Sequence, residues 1–130
     1  MSIPVHGHSA GFVAIVNDAK KRIREINIEE YKALLAKGDA GQLIDVREEH
    51  EFAAAHAAGA KHLSKGVIER DIETTFPDKA TRLILYCGGG YRSALATDNI
   101  QKMGYHNVIS LDGGWRAIEA SDLPLDPPRK

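Results

Sequence analysis

Apolar positions along the chain alternate between helical and strand spacing. Phe12, Ile15, Val16, Ala19, Ile23 and Ile26 recur at the period of a helix, with Lys20, Lys21, Arg22 and Arg24 mostly off that stripe, which predicts an amphipathic helix over 12–26. Ile26-Asn27-Ile28 predicts a short strand, and Asn27 or a neighbour opens a helix over 29–37 that Gly38 ends. Residues 41–47 form a buried strand, 48–58 an alanine-rich helix, and 59–64 a short strand entered through Gly59. Val67 to Phe76 reads as a short helix or irregular segment stopped at Pro77. The central strand is expected over 82–86, where the continuous apolar run Leu83-Ile84-Leu85-Tyr86 suits a fully buried parallel strand, and the helix that follows is closed by Gly104. A last strand lies within 105–111, a short helix over 115–120, and the tail from Asp122 is too proline-rich to continue it.

Strands and helices alternating in this way argue for an α/β fold, a parallel sheet covered by helices on both faces. A chain of 130 residues is long enough to bury one core and shows no internal repeat or interdomain linker. The polar stretch 1–11, with His6 and His8, is expected to be loosely ordered, and those histidines are read as part of a flexible tail rather than as metal ligands.

Charge adds little, because a formal net charge of -1 gives no electrostatic reason to bind nucleic acid or a membrane surface. The basic helix face could meet an acidic partner or anionic lipid, but a charged face is more often simply solvated. No stretch is long enough to span a bilayer, and no signal peptide is apparent, so a cytoplasmic address is the expectation. A single cysteine excludes an internal disulfide, a Cys-x-x-Cys pair and a multi-cysteine zinc site.

That cysteine sits where the chemistry is expected. The apolar strand ends on Cys87, breaks into Gly88-Gly89-Gly90, and passes through Tyr91-Arg92-Ser93 into a helix. Strand, glycine loop and helix N-terminus together make an anion site, because backbone N–H groups converge there and the helix dipole adds partial positive charge. A cysteine in that place is expected to react as a thiolate. Three readings compete: a buried strand residue beside a turn, a nucleophile toward phosphate with Arg92 clamping oxygens, and a nucleophile toward sulfane sulfur that carries it as a persulfide. Elsewhere, Asp45 and Arg47 lie at the carboxyl edge of their strand and read as an ion pair tying loops together rather than as catalytic groups. His56 and His62 could serve as acid–base groups, but packing or hydrogen bonding is the preferred role for each.

The chain resembles a single-domain rhodanese, a member of the rhodanese-like sulfurtransferase family. The loop from Cys87 to Arg92 is similar to the family's six-residue active-site loop, whereas related phosphatases and arsenate reductases on the same fold carry a loop one residue longer. Leu43-Ile44-Asp45-Val46-Arg47-Glu48, Glu51-Phe52, His56 and Gly59-Ala60 resemble the family's N-terminal signature, and Leu111-Asp112-Gly113-Gly114 with Leu123-Pro124 its closing one. Ala55, Ala57, Trp115 and Ile118 depart from the usual pattern in ways that read as packing variation.

The resemblance implies a rhodanese-like five-stranded parallel sheet, with an N-terminal extension over 1–25, the domain over 26–125 and a tail over 126–130. It implies Cys87 as sulfur acceptor and persulfide carrier, with the backbone amides of Gly88, Gly89, Gly90, Tyr91, Arg92 and Ser93 holding the terminal sulfur. Arg92 would attract an anionic donor, Ser93 would cap the helix, and no metal or organic cofactor is implied. The partners implied are a small anionic sulfur donor such as thiosulfate and a thiophilic acceptor: cyanide, a thiol or a protein. The alternative is a non-enzymatic rhodanese-like module that binds a partner or senses redox state through Cys87, and a phosphatase or arsenate reductase stands third. The helix over 12–24 lies outside the resemblance and has no assigned purpose.

Overall fold

The computed structural model describes residues 8–129. In chain order its elements are α1 (Ala10–Lys20), β1 (Arg24–Ile26), α2 (Ile28–Ala36), β2 (Gln42–Asp45), α3 (Glu49–Ala54), β3 (His56–Ala57) and β4 (Lys61–His62). These are followed by α4 (Ile68–Thr75), β5 (Leu83–Tyr86), α5 (Tyr91–Lys102), β6 (Val108–Leu111), α6 (Gly114–Ala120) and β7 (Leu125–Asp126). Five strands pair in the order β1-β6-β5-β2-β4, all parallel. All their carboxyl ends therefore lie along one edge, where open α/β sheets bind ligands.

Side-chain alternation along β5 divides the core. Leu83, Leu85 and, continuing the period, Cys87 face one cluster with Ile68, Ile72, Ala96 and Ile100 of α4 and α5. Ile84 and Tyr86 face the other, with Tyr31 of α2 and Ile118 of α6. The expected fold, a five-stranded parallel sheet flanked by helices on both faces, is the one observed. The alternation also delivers Cys87 to the face that carries α5, so the thiol meets the first turn of the helix that follows it.

The N-terminal segment departs from its expected form. The helix runs from Ala10, inside the stretch expected to be loose, and stops at Lys20. Arg24, Glu25 and Ile26 pair with Ile109, Ser110 and Leu111 of β6 as an edge strand rather than continuing the helix. Ile23 and Ile26 satisfy the helical period by coincidence, and pairing with β6 overrides it. Asn27 then accepts from the Glu30 amide at 2.8 Å while Glu30 accepts from the Asn27 amide at 3.0 Å, a reciprocal cap that opens α2 one residue earlier than expected.

Helix α1 lies on α5. Val16 and Ala19 are buried, and Arg22 holds Asp98 through two bonds of 2.9 and 2.7 Å. Much of the basic face is thereby committed inside the chain, since Lys20 also pairs with Glu25 at 3.3 Å. His6 lies outside the described residues, as do the rest of 1–7. The proline-rich tail forms a strand, β7, antiparallel to β3 through His56↔Asp126 and Ala57↔Leu125. No helix among the described residues is long and apolar enough to cross a membrane.

Candidate active site

Cys87 follows directly after β5, and its thiol is almost wholly enclosed. The Gly90 amide donates to Cys87 Sγ at 3.1 Å. On the interior side the sulfur approaches Ser93 Oγ at 3.5 Å, and Ser93 Oγ in turn lies 2.9 Å from Ser110 Oγ on β6. Gly90 occupies the residue before α5 at φ 106°, a conformation that suits glycine and aims its amide back at the sulfur. Ser93 therefore does not cap the helix: it lies within the first turn, buried, and supports the thiol from below.

The loop is gripped by the start of α6. The Trp115 amide donates to the Cys87 carbonyl at 2.7 Å and the Arg116 amide to the Gly88 carbonyl at 3.2 Å. Gly114, at φ 47°, lets the two backbones meet, since a Cβ there would collide with the Cys87 carbonyl. The Leu111-Asp112-Gly113-Gly114 signature thus acts on the site through backbone contact with the cysteine loop.

Above the thiol opens a pocket of about 510 Å³. Gly88, Gly89, Tyr91 and Arg92 line it, while Gly90 and Ser93 reach the sulfur from behind. Arg92 Nη2 lies beside Gly88, within 3.2 Å of where a Cβ would stand. Its charge is committed: Nη1 and Nη2 donate to Glu51 Oε1 and Oε2 at 2.8 and 3.3 Å. Held chiefly by Arg92, and further by the Glu48 amide, the Glu51 carboxyl drops from the usual 4.5 to about 2 despite the opposing cost of burial.

Four contributors to the site escaped the sequence reading. Glu51 was visible only as part of a signature. Arg116 lines the pocket with Nη1 directed at Gly89, and among the described residues it has no carboxylate partner. His8 and Phe12, assigned to a tail and an unexplained helix, also line it. Their rings pack at tilted angles around Tyr91, with centroids 4.5 Å apart for His8–Tyr91, 5.9 Å for Phe12–Tyr91 and 5.3 Å for His8–Phe12. Arg116 had a sequence signal in its place on the first turn after the double glycine. His8 and Phe12 had none, because their contact with Tyr91 depends on how α1 docks on α5.

The remaining polar residues at the carboxyl edge are structural. Arg47 holds Asp45 through bonds of 2.7 to 3.1 Å and donates to the Ala55 carbonyl at 2.7 Å. Tyr86 Oη donates to Asp45 at 2.8 Å and accepts from the Ala57 amide at 3.2 Å. The ion pair expected from sequence is present, and it fixes the segment carrying Glu51 against the sheet. His56 Nδ1 contacts the Phe52 carbonyl at 2.8 Å and His62 Nε2 the Arg47 carbonyl at 2.8 Å, with Phe52 stacked on both rings. No group of three or more metal-ligating side chains occurs among the described residues.

Comparison with known proteins agrees with this architecture. The family profile of the rhodanese-like domain matches residues 27–121. Thiosulfate sulfurtransferase GlpE of Pseudomonas entomophila is 31% identical over 93 residues, covering 69% of this chain and 84% of the relative. YrkF of Bacillus subtilis is 29% identical over 94 residues, or 72% of this chain, which spans about half (50%) of that protein's length. Among solved structures, Rhodopseudomonas palustris RPA3614, described as a protein of unknown function and possible tyrosine phosphatase, superposes with a TM-score of 0.79 at 25% identity. That match covers 95% of this chain and 98% of the other.

Proposed function

We propose that this chain, which belongs to the rhodanese-like domain family, moves sulfane sulfur through a persulfide on Cys87. In the first step the Cys87 thiolate attacks the outer sulfur of thiosulfate, the sulfur–sulfur bond breaks, and sulfite leaves with the electron pair, giving Cys87–S–S⁻. In the second, cyanide or a thiolate attacks the terminal sulfur, is released as thiocyanate or a new persulfide, and returns Cys87 as thiolate. The loop amides of Gly88, Gly89, Gly90, Tyr91, Arg92 and Ser93 are the proposed cradle for the terminal sulfur at the start of α5.

The observation that carries this reading is the enclosed Cys87 sulfur, contacted by the Gly90 amide at 3.1 Å at the floor of an open pocket. A cysteine serving only as core packing has no need of either feature. The identity to GlpE supports a sulfurtransferase, and so does the short loop. Arg92 is the natural clamp for a phosphoryl group, but both of its terminal nitrogens bond Glu51. That commitment disfavours the phosphatase activity suggested for the R. palustris protein. The non-enzymatic alternative, a binding or redox-sensing module, needs the thiol but not turnover.

Initial rates of thiocyanate formation with thiosulfate and cyanide varied together test the reading. The parallel double-reciprocal lines of a double displacement are expected, together with no hydrolysis of p-nitrophenyl phosphate. Hydrolysis of the phosphate ester without thiocyanate formation would overturn it.

A further inference from the structure

The Cys87 pocket is built from two unlike parts, and one of them comes from outside the residues that the family profile matches. His8 and Phe12 precede residue 27, yet both line the cavity and pack on Tyr91 of the cysteine loop. Both rings are half-buried, and α1, which carries Phe12, is fastened to α5 by Val16, Ala19 and the Arg22–Asp98 pair. The aromatic wall is thus anchored to the same helix that Cys87 faces. The other part is cationic. With Arg92 engaged by Glu51, Arg116 carries the guanidinium in the pocket that has no carboxylate partner among the described residues.

The cavity has room for more than one inorganic anion, and its aromatic wall offers an apolar surface that such an anion would leave unused. A guanidinium beside aromatic faces suits a donor with an anionic head and an apolar or aromatic body. Resting on the sulfurtransferase reading above, we propose that His8 and Phe12 of the N-terminal segment, with Tyr91, are the specificity-determining wall for an organic sulfur donor, and that Arg116 receives its anionic group. A thiosulfonate represents that class. Cys87–S⁻ attacks the outer sulfur of R–SO₂–S⁻, the sulfur–sulfur bond breaks, and the sulfinate R–SO₂⁻ leaves with the electron pair, so that Cys87–S–S⁻ again results.

The test compares benzenethiosulfonate with methanethiosulfonate, which share the head and differ only in the body. Cyanide is the acceptor and kcat/KM is read for each. The unaltered chain is expected to favour the aryl donor by about tenfold, the scale of one well-packed aromatic contact. Phe12→Ala should bring that preference close to one, Phe12→Tyr should keep it, and Arg116→Gln should raise KM for both donors without removing the preference. Circular dichroism and thermal unfolding of Phe12→Ala and Phe12→Tyr separate a lost wall from a lost α1. Equal use of the two donors by the unaltered chain, or a preference that survives Phe12→Ala in a folded protein, overturns the proposal while leaving sulfur transfer standing. Failure of both thiosulfonates on a chain that still loads sulfur on Cys87 from thiosulfate overturns this proposal alone, and failure of all three donors overturns the transfer reading as well.

Discussion

Replacing Glu51 with glutamine removes the charge that occupies Arg92, with a cost that depends on pH. In the folded protein the Arg92 bonds at 2.8 and 3.3 Å, aided by the Glu48 amide, lower the Glu51 carboxyl from 4.5 to about 2. Because the folded value is depressed, the stabilisation is fully present above pH 4.5 and is lost as pH falls through the folded value near 2. At about 1.4 kcal/mol per pH unit the gap corresponds to roughly 3 kcal/mol, an upper bound. With the Arg92 and Glu51 side chains 31% and 29% exposed, solvent screening reduces this to about 1–2 kcal/mol. Thermal unfolding should therefore place Glu51→Gln some 4–8 °C below the parent at pH 7, at about 4 °C per kcal/mol for a chain of this size. The difference should shrink steadily between pH 4.5 and pH 2. A Tm difference that is absent at pH 7, or that persists undiminished to pH 2, would refute the claim that Glu51 is an ionised partner of Arg92.

Other positions yield direct outcomes. Gly114→Ala should destabilise the fold by at least about 2 kcal/mol, because φ 47° is unfavourable for alanine and its Cβ would strike the Cys87 carbonyl; a Tm within error of the parent contradicts that. Tyr86→Phe leaves the buried Ala57 amide without its acceptor and Asp45 without one donor, which should lower stability by about 1–3 kcal/mol in urea unfolding with an unchanged m-value. Thiocyanate formation in that variant should fall by less than in Cys87→Ser, since Tyr86 touches the scaffold and not the sulfur.

How legible the protein was in its sequence depends on whether each contact is local or made at a distance. The central strand, the Cys87 loop and α5 are one continuous run, so their pattern and their geometry coincide. The Asp45–Arg47 pair was readable for the same reason, its partners being two residues apart on one strand end. The short strand expected over 26–28 lies two residues earlier, at Arg24–Ile26, because an edge strand of three residues takes its register from pairing with β6 across the chain rather than from a pattern of its own. The β3–β7 pair escaped similarly, since Leu125 and Asp126 sit among prolines and gain strand structure only against His56 and Ala57. At the site, the residue type of Arg92 suggested an anion receptor, whereas its position beside Glu51, 41 residues earlier, commits it elsewhere. His8 and Phe12 reach Tyr91 only because Arg22 and Val16 seat α1 on α5, a long-range event with no local pattern.

Whether Cys87 carries sulfur is decided by intact-protein mass spectrometry after incubation with thiosulfate and again after adding cyanide, on the parent chain and on Cys87→Ser. The parent is expected to gain the mass of one sulfur atom, cyanide to remove it as thiocyanate, and a folded Cys87→Ser protein to gain none. Sulfur gained equally by Cys87→Ser would contradict sulfur transfer through Cys87, as would a parent chain that gains no sulfur from thiosulfate or from either thiosulfonate.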